Sequence, residues 1–378
     1  MAKALFWFAA ALLFYTLLGY PLLLWLLSRH YVWPHLRAPI RPRVSLIVTA
    51  HNEEARIATK IGNCLALDYP KNKLEIIVAS DGSTDATAAI ARGFDNQGLR
   101  VIELQERRGK QYAQREAKNA ATGEIVVFTD AAVQLAPNAL REIVSNFVDP
   151  AVGCVSSEDE LGQSHRGWVG ERIYVQFEMW LRRMESRMGS VVTVSGSFFA
   201  VRRSVCDEWH VDQTSDFFLP LNAISMGMRA VVDPASVGRF GEAPTQKAEM
   251  RRKLRTIVNG LHVFFSHREL LNPFRSGPVA WQLISHKLFR WLAPFAFLTI
   301  FVSSMFLVNA GFVYALAFAL QTSLYVLGAM ALAVERARRW KPVKLAGYFL
   351  LVNVATAMAW LSYLSGERFV TWQPTERN

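Results

Sequence analysis

Four stretches without a single charged residue, Ala4 to Leu27, Trp291 to Asn309, Phe312 to Val334 and Leu345 to Leu364, limit what this chain can fold into more than any other feature. Each is long enough to cross a bilayer as a helix, and lipid offers no partner for an open backbone N–H or C=O. Gly19 and Pro21 interrupt the first stretch without shortening it. A cleaved signal peptide is the competing reading of that stretch, but its apolar part is too long and no small-x-small site follows. Arg29, His30, Arg37, Arg41 and Arg43 come directly after it, against a lone Lys3 before it. The positive-inside rule therefore places the next part of the chain in the cytoplasm, under an inner membrane crossed several times. Trp291 to Asn309 and Phe312 to Val334 are joined by a very short turn and read as a hairpin, and Glu335 to Lys344 is basic, hence cytoplasmic. Four full crossings would leave the tail, Gly366 to Asn378, on the outer side; its charges balance, and crossing or interfacial placement of the last stretch both stay open.

Between the spans, from Arg43 to about Gly241, the pattern changes to alternating strand and helix. Val44 to Val48, Leu74 to Ala79, Val101 to Leu104 and Glu124 to Asp130 are apolar strands; Ile57, Ile61 and Leu65, then an alanine-rich segment, then Gln111 to Ala121 mark the helices. Repeated βα units imply a mostly parallel, Rossmann-like α/β sheet with right-handed crossovers. Such sheets put ligands at the carboxyl ends of their strands, where Asp130 stands. A carboxylate there faces a metal, a phosphate or a sugar, or else caps the following turn. The turn Asp81-Gly-Ser-Thr-Asp85 presents Asp81 to a ribose or base edge, or is only a relaxed turn with Ser83 or Asp85 capping a helix. Lys110, beside Gly109, is either a phosphate contact or a solvated lysine.

The sequence carries 52% hydrophobic residues and a formal charge of +11, from 42 Lys and Arg against 31 Asp and Glu. Much of that excess sits beside apolar spans and no nucleic-acid recognition motif is present, so a nucleic-acid partner is excluded in favour of membrane lipid and phosphate-bearing substrates. Three cysteines, Cys64, Cys154 and Cys206, lack metal-ligand spacing and read as reduced thiols.

Three segments together, Val44 to Glu54, Ile76 to Asp85 and Phe128 to Val133, resemble in order and spacing the donor-site motifs of family 2 glycosyltransferases with the GT-A fold. The likeness continues through Ser195-Gly-Ser-Phe-Phe-Ala-Val-Arg-Arg203 and Ser215 to Leu221, and with the spans it is similar to the membrane-embedded branch of bacterial polysaccharide, chitin-oligomer and hyaluronan synthases. That resemblance implies a nucleotide-sugar donor, UDP-linked by preference, a divalent ion (Mg²⁺ or Mn²⁺) and inversion at the anomeric carbon. It places Ala50, Asn52, Glu53, Asp81, Lys110, Thr129, Asp130 and Arg255 at the donor, with Asp130 on the metal. Gly196, Ser197 and Arg252 fall at the acceptor, and Asp216 is the catalytic base. The chain departs from the pattern at Ala132, where a second acid is usual, at Ser215, the first acid of an acid-Asp pair, and at Thr256, the Trp of a Gln-x-x-Arg-Trp motif. An Asp at the base position also reads as a helix cap.

In the second half, Val152 to Ser157, Val191 to Ser195 and Phe198 to Val201 read as strands. Glu171 to Arg187 reads as an amphipathic helix with Tyr174, Phe177, Leu181, Met184 and Met188 in the core and Arg172, Arg182, Arg183 and Arg187 solvated. Met250 to Phe265 reads as an interfacial amphipathic helix, with Arg251, Arg252, Lys253 and Arg255 crowding its start. The organisation expected is an anchor and basic flank over 1–41, a GT-A domain over 42–241, interfacial helices over 242–290, and a membrane region of two or three spans over 291–378. The function expected is hexosyl or N-acetylhexosaminyl transfer to a lipid-linked or saccharide acceptor, since the missing aromatic at Thr256 points away from polymerisation. A processive synthase and a catalytically dead nucleotide-sugar sensor are the alternatives, and the oligomeric state stays open.

Overall fold

The computed structural model describes residues 1–161, 169–240 and 246–371. The domain boundary expected at 241–242, the Arg172 side chain and the tail beyond 371 lie outside the described residues. The first span is a helix, α1 (Ala2–His30). After it, β1 (Val44–Ala50), α2 (Ile57–Leu65), β2 (Leu74–Asp81), α3 (Thr87–Arg92), β3 (Leu99–Leu104), α4 (Lys110–Ala120) and β4 (Ile125–Asp130) alternate. β1 is buried along its whole length, as a continuous apolar strand must be when helices cover both faces of its sheet. It pairs in parallel with β2 on one side and β4 on the other, and β2 pairs in parallel with β3. The register sets Thr49 opposite Asp130 and Ala50 opposite Ser80, so the carboxyl ends of these strands share one edge.

The second half supplies β5 (Gln134–Leu135), α5 (Ala139–Ser145), β6 (Val152–Leu161), α6 (Val169–Arg187), β7 (Phe198–Arg202), α7 (Ser215–Ser225) and β8 (Arg229–Phe240). They extend the sheet to eight strands in the order β3-β2-β1-β4-β7-β6-β8-β5. β7 is antiparallel to both β4 and β6, while β6 and β8 are parallel. Alternate strand residues feed two cores, Leu46, Val48 and Val127 on one face and Ile47, Ile77 and Phe128 on the other.

Val191 to Ser195 is not a strand. Its N–H groups go to different elements, Val191 to the Ala230 carbonyl (2.8 Å), Val194 to that of Asp216 (3.0 Å) and Ser195 to Ser156 Oγ (2.9 Å), so no ladder forms. Helix α6 also differs from its apolar pattern. Leu181 and Met184 are buried, but Phe177 is exposed and Glu178 and Glu185 are buried instead. Their partners come from α9 (Pro278–Phe306), a helix that starts earlier than the apolar count suggests: His286 stands 3.0 Å from Glu178 and 2.7 Å from Glu185, and Arg290 lies 2.8 Å from Glu178. Tyr20 of α1 donates to Glu185 at 2.5 Å. Burial alone would raise the Glu178 carboxyl, but His286, Arg290 and Lys287 around it hold it well below the usual carboxylate range. Buried carboxylates persist only with such partners, and here they tie three helices together.

Helix α8 (Gln246–Ser266) buries its apolar side, Ile257, Val258 and Leu261, against protein. The cover comes from the last of three long apolar helices, α9 (Pro278–Phe306), α10 (Phe312–Ala333) and α11 (Lys341–Leu364), which with α1 are long and apolar enough to cross a membrane. α9 and α10 form the expected antiparallel hairpin, with Phe301 stacked on Phe318 (5.3 Å) and Gln321 bonded to the Phe297 carbonyl (3.1 Å). α10 therefore ends on the side of the sheet domain, where α9 begins. α11 starts on that side too and returns to it: Trp360 donates to the Trp291 carbonyl (2.9 Å), and beyond the helix the Phe369 carbonyl accepts from Asn259 of α8 (3.0 Å). Length and composition permit α11 a full crossing, but the contacts of Trp360 and Phe369 bring its carboxyl end back to the side of the sheet domain.

With Cys64, Cys154 and Cys206 all buried, introduced cysteines report topology cleanly. In sealed vesicles Arg339→Cys and Glu367→Cys are expected to react with an impermeant maleimide from one side and Ala310→Cys from the other. Labelling of Glu367→Cys together with Ala310→Cys would contradict this topology.

Candidate active site

The sheet edge is built around one cation. Lys110 opens α4, where the unpaired N–H groups and the helix dipole already favour an anion. Its Nζ lies 2.5 Å from Asp130 at the end of β4 and 3.2 Å from the Gly196 carbonyl. Gly196 in turn lies under Asp216: a Cβ added there would stand 2.9 Å from Asp216 Oδ2. Asp130, Lys110, Gly196 and Asp216 thus form one continuous wall. The pocket they line is closed by Glu53 on the β1 side and by Arg252 and Arg255 of α8. Buried Thr49 Oγ1 and Asn259 Oδ1 on the same wall have no partner among the described residues, and such atoms are usually satisfied.

Electrostatics follow from this crowding. Burial, then the neighbouring Arg252, lowers the Arg255 guanidinium, and Asp130 and Asp216 oppose that shift. Burial raises the Glu53 carboxyl against the pull of Arg56, whose guanidinium is 3.2 Å away, with Asp130 adding repulsion. Asp216 is not the helix cap: Thr214 occupies that position and Asp216 sits inside the first turn of α7. Ser215 is buried and donates to Gln114 of α4 at 2.7 Å, fastening α7 beside the wall.

Five residues expected at the ligands do not line the pocket. Asp81 is buried, and its carboxylate accepts N–H groups from Arg108 (2.7 Å) and Gly109 (2.9 Å), so it shapes the loop that delivers Lys110. Asn52 adopts φ +52 and accepts from the Thr84 N–H (2.9 Å), clamping two loops together. Thr129 accepts from Lys60 Nζ (3.0 Å), Ala50 is buried at the end of β1, and Ser197 contributes its carbonyl to the Asp130 N–H (3.1 Å). Lys60 was not anticipated. It is fully buried beneath Asp130, bonds the Val133 carbonyl (2.6 Å), and is lowered by that burial. Nor were Phe369 and Val370, which α11 carries back to the pocket rim. The sole sequence signal for them is an apolar pair in a polar tail. Gly109, at φ +97, leaves room for the Val370 carbonyl that no side chain would allow.

A divalent ion finds only part of a site here. No cluster of three or more His, Cys, Asp or Glu capable of holding a metal occurs among the described residues, and the cation beside Asp130 is Lys110. Asp130 can donate one hard oxygen; the remaining ligands would have to arrive with a phosphate-bearing substrate.

The family model for glycosyl transferase family 2 matches residues 45–209. The chain carries a family 2 glycosyltransferase domain. The chain is similar to β-monoglucosyldiacylglycerol synthase of Nostoc sp., 28% identical over 184 residues, which cover 46% of this chain and 39% of that one. It is also similar to an N-acetylglucosaminyltransferase of Azorhizobium caulinodans, 29% identical over 238 residues and covering 56% and 59% of the two chains. It thus spans well under two thirds of the length of these curated relatives. A solved mannosyltransferase of Pyrobaculum calidifontis, in complex with GDP-Man and Mn²⁺, superposes with a TM-score of 0.75 at 25% identity, covering 97% of this chain and 100% of that one. The likeness to that structure takes in the spans as well as the sheet.

Gly196→Ala tests the wall directly. The backbone of Gly196 does not require glycine, so the variant is expected to unfold within a few degrees of the wild type, yet its Cβ displaces Asp216. Sugar transfer is expected to fall by about 10²-fold, the scale of an ångström's misplacement of a reacting group; unchanged turnover would show that Asp216 is not held there for chemistry.

Proposed function

We propose that this protein is a membrane-embedded, inverting glycosyltransferase that moves one sugar from a nucleoside diphosphate donor to the hydroxyl of a lipid-linked or saccharide acceptor. One observation carries the reading: Asp130 and Asp216 line a single pocket, joined through Lys110 and Gly196 and faced by Arg252 and Arg255. The diphosphate would lie at the amino end of α4, against Lys110 and the two arginines. When bound with the donor at Asp130, a divalent ion would neutralise charge on the diphosphate. Asp216 takes the proton of the acceptor hydroxyl as its oxygen bonds to the anomeric carbon, and the bond from that carbon to the diphosphate oxygen breaks. Lys110 and Arg255 hold the leaving charge. Phe369 and Val370 lay an apolar rim over the pocket and limit water, a competing acceptor. Because position 256, the Trp of the polymerising motif, carries Thr, transfer of one sugar is favoured over polymerisation.

The membrane reading rests on the apolar helices and on the cations beside the sheet domain. α1 ends in Arg29 and His30, and Glu335 to Lys344 is basic, so the catalytic domain would face the cytoplasm, where nucleotide sugars are made. Three crossings, by α1, α9 and α10, then leave α11 and the rim residues on the same side as the donor.

Asp216→Asn is expected to retain donor binding and to lose transfer by 10²- to 10⁴-fold, roughly the contribution of a positioned general base. Wild-type turnover in the variant would remove Asp216 from the mechanism. Calorimetry should find Mn²⁺ bound together with a nucleoside diphosphate and released by chelation, with no tight binding of Mn²⁺ alone. A tight Mn²⁺ site in the free protein would contradict the incomplete ligand set at Asp130.

A further inference from the structure

At the level where α1 leaves the apolar layer and α9 enters it, the structure holds two adjoining cavities of about 350 and 510 Å³ that share Trp33, Met188 and Pro278. Neither shares a lining residue with the catalytic pocket. The larger is walled by apolar and aromatic side chains, among them Leu27 and Trp281. The smaller adds Gln282 and Arg275. Gln282 is 1% exposed, and neither its amide nitrogen nor its amide oxygen has a partner among the described residues. A buried amide with both ends open is rare in folded proteins and marks a missing partner.

We propose that this cleft binds one anionic phospholipid, with an acyl chain in the apolar chamber, an ester carbonyl accepting from Gln282, and the phosphate on Arg275. The surroundings select a lipid over a soluble ligand. Tyr31 and Trp33, which line the cleft, are 67% and 63% exposed, and Phe274, next to Arg275 in sequence, is 98% exposed, aromatic rings placed at the depth of headgroups in the membrane arrangement proposed above. The surroundings also select an anionic headgroup. Arg29 and Arg187 adjoin the rim in sequence and Arg275 lies on it, against Glu269 as the lining acid. The lipid would brace the junction of α1, α6 and α9 and is independent of the catalytic chemistry, so loss of transferase activity does not bear on it.

The full chain in detergent micelles is titrated with 1-palmitoyl-2-oleoyl-phosphatidylglycerol and, separately, with the matching phosphatidylcholine, and retained lipid is counted by native mass spectrometry. One phosphatidylglycerol per chain is expected, held about five- to tenfold more tightly than phosphatidylcholine, the scale of a single charge contact near a headgroup. Gln282→Leu, which removes an amide that no described residue bonds, should fold normally by lipid-free thermal unfolding and weaken retention about tenfold. Val279→Trp should exclude the lipid by filling the cleft. Equal retention of the two lipids by the wild type, or undiminished retention in both variants, would overturn the site. A chain that partitions into bilayers yet keeps no lipid in micelles overturns this site alone and leaves the membrane reading standing.

Discussion

The contact on which the site depends is the ammonium of Lys110 held between Asp130 and the Gly196 carbonyl. It joins the parallel half of the sheet, which ends in Asp130, to the antiparallel insertion whose loop precedes β7. Its own placement is set one step earlier. Asp81, buried at the end of β2, draws in the Arg108 and Gly109 N–H groups, and the positive φ of Gly109 turns the chain into α4 with Lys110 at its first residue. From β2 to α7 each group is fixed by the one before it, so Asp130 with Lys110 and Asp216 reach the same pocket from opposite halves of the fold.

The same economy of position appears at the membrane junction. Glu178 and Glu185 would not stay buried without polar partners. His286 and Arg290 of α9 and Tyr20 of α1 supply the partners, and the sheet domain is thereby locked to the helices that place it. α11 adds the other half of the arrangement. By running back to the domain it covers the apolar side of α8, from which Arg252 and Arg255 reach the pocket, and brings Phe369 and Val370 to the pocket rim. The long apolar helices and the cations of the pocket are therefore parts of one packed unit.

Much of this was legible in the sequence because it is local. The alternating βα pattern gave β1 to β4 and the edge at Asp130. The resemblance to family 2 glycosyltransferases pointed to Lys110, Gly196, Asp216, Arg252 and Arg255, which the structure brings to one pocket. What was hidden depends on distant partners. Asp81 reads as a ligand contact until the loop at Arg108 and Gly109 folds onto it. Lys60 reads as one more polar residue on a helix, yet it bonds Thr129 and the Val133 carbonyl beneath Asp130. Val191 to Ser195 has the residues of a strand but distributes its N–H groups among three elements. The length of α11 said that it could cross a membrane; the contacts of Trp360 and Phe369 say where its carboxyl end lies.

The central claim is that one carboxylate, Asp216, activates the acceptor while the groups around Asp130 and Lys110 receive the leaving diphosphate, with no covalent enzyme intermediate between them. The anomeric configuration of the first product formed, read by proton NMR before mutarotation or a second transfer, tests that claim most directly. Inversion relative to the donor is the result this arrangement requires. Retention of configuration would contradict it.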